Sequence, residues 1–98
     1  MKPPLKNLEQ DSTTRKLGFE ERAESEYIYW ENHDEAVAEF IHDLLDEVLV
    51  QPFEGRGEPK ELERDLKGCW SRRIDKEHRL VYRVTDDKII VVSCKGHY

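Results

Sequence analysis

Apolar positions in this chain change period about two-thirds of the way along. Val37, Phe40, Ile41, Leu44, Leu45 and Val48 recur at helical spacing, with Glu35, Glu39, Asp43, Asp46 and Glu47 on the opposite side. That pattern predicts an amphipathic helix. Asn32 is placed to cap it, Glu35 lies three residues on, and Pro52 marks its stop. Ahead of it, Ala23, Tyr27 and Trp30 share a helical face and predict a helix over 20–30. Beyond Cys69 the period falls to two, which predicts strands over 69–74, 78–84 and 88–94. Asp75-Lys76-Glu77 is short enough for a hairpin, and Asp86-Asp87 suits a tight turn. The apolar run at 89–92 suits a strand covered on both faces. Leu17-Gly18-Phe19 can open a short strand. Residues 51–60, with two prolines and two glycines, form a structured loop, and 61–67 a short helical turn ended by Gly68. Two N-terminal helices packed on one face of a small antiparallel sheet is the natural solution, an α+β fold. Residues 1–14 are expected to be a flexible extension, and 15–98 the domain.

Composition narrows the function classes. The 98 residues are 39% charged and 37% hydrophobic, with mean hydropathy -0.87. A single modest core is affordable at this length. No run reaches a membrane span, and the N-terminus lacks a signal-peptide core, so a cytoplasmic location is expected. Cys69 and Cys94 have no metal-type spacing and are expected to be buried thiols rather than a disulfide. The net charge of -6 is unevenly distributed. Residues 1–54 hold 5 Lys+Arg against 14 Asp+Glu, and residues 55–98 hold 11 against 8. No Lys or Arg occurs between Ala23 and Glu54. A polyanion would be accepted only by the second half. The first half reads either as a solvated acidic helix face or as one pole of a bipolar molecule.

Strand alternation then gathers candidate chemistry. Cys69, Ser71 and Arg73 share one face of their strand, and Arg79, Val81 and Arg83 one face of the next. If Ile74 pairs with His78, Arg73 stands directly opposite Arg79, where like charges destabilise a sheet. A phosphate between them would convert the repulsion into binding, because guanidinium forks match phosphate oxygens. A slipped register, or a carboxylate such as Glu61, would remove the conflict instead. His97 and Tyr98 follow the last strand through Lys95-Gly96. A histidine can supply a proton to a leaving oxygen at neutral pH, and a tyrosine can stack on a base. Arginines, a histidine and a tyrosine together suit cleavage of RNA.

The same residues carry a resemblance. The segments PFEGxGxP at 52–59, LxGxWSRRI at 66–74 and EHRLVYxVTDD at 77–87, with a closing His-Tyr, are similar to the YoeB/Txe toxins of the RelE superfamily. EYIYW at 26–30 also resembles that family's first helix, and the match runs without gaps from about Lys16 to Tyr98. The resemblance implies a microbial-RNase-like fold and a ribosome-dependent mRNA endoribonuclease. That enzyme would be the toxin half of a type II toxin–antitoxin module, working without metal or other cofactor. It also implies a YefM/Axe-like antitoxin that blocks activity, contacts with ribosome and mRNA, and a homodimer. The family's catalytic arginine falls on Arg79, its second arginine on Arg73, its general-acid histidine on His97 and its last tyrosine on Tyr98.

Three departures change what the resemblance implies. Lys60 stands where the family has a catalytic glutamate, Glu63 stands where it has a lysine, and residues 32–50 lack the family's lysines. Lys60 could act as base if Arg73 and Arg79 lower its pKa, or Glu61 could reach in. The alternative to an active toxin is a catalytically weak or inactive homologue that acts by binding an antitoxin.

Overall fold

The computed structural model describes residues 15–96, and the expected 1–14 extension lies outside them. Strand β1 (Lys16–Phe19) leads into helix α1 (Glu21–His33) and helix α2 (Glu35–Val50). A loop then enters β2 (Lys60–Glu61), a 3-10 turn at Arg64–Leu66, and strands β3 (Cys69–Arg73), β4 (Arg79–Val84) and β5 (Lys88–Ser93). Sheet order is β1-β5-β4-β3-β2. Four of the strands are mutually antiparallel; β1 joins the edge in parallel with β5, so the expected antiparallel sheet is mixed. The α+β class and the two-helix layer are as the sequence pattern predicts.

The helix register follows the apolar stripe: Ala38, Ile41, Leu44, Leu45 and Val48 of α2 are buried with Ala23 and Trp30 of α1. They pack on Ile74, Leu80, Tyr82, Ile89 and Val91, which share one sheet face. The central place of β5 explains its unbroken apolar run, with Ile89 and Val91 fully buried and Ile90 and Val92 half-buried. The cap of α2 differs from expectation. Asn32 lies inside α1, and Asp34, the single residue between the helices, accepts from the Val37 N–H at 3.3 Å. Both cysteines are buried free thiols. Burial raises the Cys69 thiol and pushes that of Cys94 up to about 12, so neither is a ready nucleophile.

The β3 residue Arg72 is fully buried on the helix side. Nε donates to the Tyr82 hydroxyl at 3.1 Å. Nη1 donates to Glu47 Oε1 and the Arg56 carbonyl, and Nη2 to the carbonyls of Gln51 and Glu54. All five guanidinium N–H groups are thereby used. The Tyr82 hydroxyl in turn donates to the Pro52 carbonyl at 2.6 Å. The 51–57 loop is thus wrapped around one cation. Two glycines make the wrapping possible. A Cβ at Gly55 would come within 2.8 Å of Arg72 Nη1, and one at Gly57 within 2.9 Å of Arg72 Cβ; both have positive φ.

Glu47 completes the arrangement. The Arg56 backbone N–H, and next the Arg56 side chain, hold its carboxyl below the usual range. A depressed folded-state pKa gives stability that is present above the unfolded-state value and is lost as pH falls through the folded-state one. Glu47→Gln should therefore be less stable than wild type at pH 7, with the difference shrinking below about pH 4, as urea titrations across pH would record. Arg72→Met should cost on the order of 3 kcal/mol, because it strands Tyr82 and several loop carbonyls; equilibrium denaturation measures it.

Candidate active site

The face of the sheet away from the helices carries the arginine pair singled out from the sequence. Arg73 pairs with Arg79 in register, and Ile74 N–H donates to the His78 carbonyl at 2.9 Å, so the like-charge juxtaposition read from the sequence is present. Lys60 pairs with Ser71, and residues paired across strands share a face. Lys60, Ser71, Arg73 and Arg79, with Glu58, Pro59 and Leu62, line a depression of about 470 Å3.

The two arginines are held differently. Arg79 Nε donates to the buried Ser71 Oγ at 3.1 Å, and among the described residues Arg79 makes no ion pair. Its Nη groups are left to face the depression. Arg73 Nη2 lies 3.0 Å from Glu58 Oε1, and both side chains are largely exposed. The carboxylate beside the arginine pair is therefore Glu58. Glu61 pairs with Trp70, belongs to the opposite face, and lines a separate surface depression with Glu63, Arg64 and Lys67. Of the residues named from sequence, the fold brings Lys60, Arg73 and Arg79 together and sends Glu61 elsewhere. His97 and Tyr98 lie outside the described residues.

The chain is nevertheless guided to their doorstep. The register between β4 and β5 shifts at Val81/Tyr82: Tyr82 pairs with Val91 and Val81 with Ser93. The extra residue, Val92, bends the end of β5. Gly96 is then gripped on both polar backbone atoms. Its N–H donates to His78 Nδ1 at 2.9 Å, and its carbonyl accepts from the Arg79 N–H at 2.9 Å. The His78 ring packs edge-on against Trp30, whose indole N–H donates to the Cys94 carbonyl. Strand alternation could not have singled out His78, because the contact is made by a residue preceding β4 with one following β5.

Potential metal ligands among the described residues converge at His42, Asp43 and Asp46, all exposed on α2. An exposed acidic helix face generates such groupings without metal function. The cleft between α1 and α2 is likewise acidic, lined by Glu31, Glu35, Glu39 and Asp43 with Tyr27 and His42.

A two-helix layer on one face of a small sheet, with a cationic depression on the other, defines a class of compact single-domain proteins suited to an anionic ligand. Comparisons make the class specific. Residues 19–98 match the family described as YoeB-like toxin of bacterial type II toxin-antitoxin system. The toxin YoeB of Escherichia coli K12 is 43% identical over 83 residues, covering 85% of this chain and 99% of that protein. A YoeB dimer from Staphylococcus aureus superposes with a TM-score of 0.81 at 38% identity, covering 87% of this chain and 99% of that one. A YoeB–YefM complex from the same organism gives 0.78 at 38% identity, with 86% and 98% covered. The chain belongs to the YoeB-like toxin family of type II toxin–antitoxin systems.

His78→Ala should release the Gly96 N–H, leaving only the carbonyl held by Arg79, and loosen the 95–96 segment. Amide hydrogen exchange at Gly96 and Lys95 should accelerate, with little change at the buried β4 amides.

Proposed function

We propose that this toxin is a ribosome-dependent mRNA endoribonuclease working by metal-independent general acid–base chemistry. The observation that supports it best is Arg79, braced by Ser71, opposed by Arg73 and free of any ion pair among the described residues. A guanidinium so held is preorganised to receive the charge that builds on a phosphate during cleavage. Arg73 and Lys60 add positive charge around the same depression. His97, the residue after Gly96, supplies the proton to the departing 5′ oxygen, and Tyr98 stacks on a base. Lys60 serves as a cation, since an ammonium group has donors but no lone pair with which to accept the substrate proton.

By analogy with the Staphylococcus aureus proteins, the partners are a YefM-like antitoxin and a second copy of the chain. The acting compartment is the cytoplasm, where message and ribosome are. No helix among the described residues is long and apolar enough to cross a membrane.

A second reading is favoured by α2. Its surface exposes Glu35, Glu39, Asp43 and Asp46 and offers no cation to ribosomal RNA. Under that reading the chain is a weak or inactive homologue that works by binding an antitoxin.

Cleavage of ribosome-bound message by wild type and Arg79→Ala separates the two. The nuclease reading expects loss of about 10²–10³-fold in the variant, the range for removing one charge-stabilising donor. Equal, negligible cleavage by both proteins selects the binding reading.

A further inference from the structure

We infer that Glu58 is the general base of this site, the group that removes the proton from the attacking 2′-hydroxyl. The inference rests on the nuclease reading and completes it, since neither Lys60 nor Glu61 fills that role: one is a cation and the other belongs to the opposite face.

Three independent features of Glu58 converge. Among the described residues it is the one carboxylate lining the depression that holds Lys60, Ser71, Arg73 and Arg79. It is accessible, with 76% of its side chain exposed, yet oriented by Arg73 Nη2 at 3.0 Å. That single contact leaves carboxylate lone pairs open to a substrate hydroxyl.

The backbone supplies the third feature. Glu58 has φ 53 although it carries a side chain and precedes Pro59, a neighbour that pushes residues toward extended conformations. The cause lies in the pairing on either side. Gly57 carbonyl accepts from Arg73 N–H at 2.7 Å, and Lys60 pairs with Ser71. Glu58 and Pro59 therefore stand against Arg72 alone, two residues against one. Such an extra residue bends a strand and re-aims a side chain, and bulges concentrate beside active sites. Here it turns the carboxylate toward Arg73 on the working face. Strained backbone at a residue without a packing role points to function.

The step is an in-line displacement at phosphorus. The Glu58 carboxylate takes the 2′-hydroxyl proton, and the 2′ oxygen bonds to phosphorus. The bond from phosphorus to the 5′ oxygen breaks, and that oxygen leaves with a proton from His97. The products are a 2′,3′-cyclic phosphate and a 5′-hydroxyl end. Among the described residues, Arg79, Arg73 and Lys60 are the charged groups that line the depression with Glu58.

The test compares wild type, Glu58→Gln, Glu58→Asp and Arg79→Ala in single-turnover cleavage of ribosome-bound message across pH. Glu58→Gln should lose about 10²–10⁴-fold in rate at neutral pH, the usual worth of a general base. It should also lose the acidic limb of the pH–rate profile, with ribosome affinity retained. Glu58→Asp should recover part of the rate and keep that limb. If wild type cleaves in an Arg79-dependent way while Glu58→Gln matches its rate and profile, Glu58 is not the base and the nuclease reading survives. A Glu58→Gln defect confined to binding also overturns the assignment. If wild type does not cleave, both inferences fall.

Discussion

Arg72 is a charge taken out of water, and much of the rest of this structure is arranged to make that tolerable. An unpaired guanidinium in a protein interior is prohibitively unfavourable, whereas one with every N–H donated is not. Here the acceptors are Glu47, the Tyr82 hydroxyl and three loop carbonyls. The loop has little choice of path, because moving any of its carbonyls would uncover a donor. Gly55 and Gly57 pass so close to Arg72 that a side chain at either position would collide with it. The tilted packing of Phe53 on Trp70, with centroids 4.9 Å apart, fastens the outer side of the same loop.

The consequence appears on the other face of the sheet. By fixing 51–57 on one side of β3, Arg72 delivers Gly57 to Arg73 and then Glu58, Pro59 and Lys60 to the rim of the depression. Its chain neighbours Ser71 and Arg73 point the opposite way by strand alternation. Three consecutive residues of β3 thus brace Arg79, hold the loop and pair with Glu58. The bulge in β5 matches this from the far side, placing Gly96 between His78 and Arg79. Loop, strand pair and following segment converge on one patch because each is tied to backbone or to a buried polar group.

Electrostatic polarity also acquires a spatial meaning. The acidic surface of α2 lies on the helix side, and Lys60, Arg73 and Arg79 lie on the opposite side of the sheet. A helix layer packs on a sheet about 10 Å away, comparable to the Debye length of about 10 Å at 0.1 M salt. The carboxylates of α2 therefore act weakly on an anion bound beside Arg79. Their effect falls on whatever approaches the helices, where they would repel RNA and attract a basic protein segment. Membership of the YoeB-like toxin family is thus compatible with a helix that lacks Lys and Arg over 32–50, the departure already legible in the sequence.

Periodicity and local chemistry alone settled a good part of the protein. The apolar stripe of α2, the two-residue alternation of β3 and β4, the Asp75 and Asp86-Asp87 turns and the opposition of Arg73 to Arg79 are all short-range consequences of residue order. Other features needed the tertiary structure. Nothing in the strand pattern sets Arg72 apart from Arg73, and it is the chain returning from α2 that buries it. Whether Lys60 or Glu61 joined the site turned on a one-residue register, which flips a side chain across the sheet. Glu58 was hidden in a loop of prolines and glycines, and its carboxylate found Arg73 because pairing on both sides forced an extra residue outward. Sequence spacing determines which residues can share a face. Which faces meet, and which charges are buried between them, depends on contacts between segments far apart in the chain, and only the folded molecule decides those.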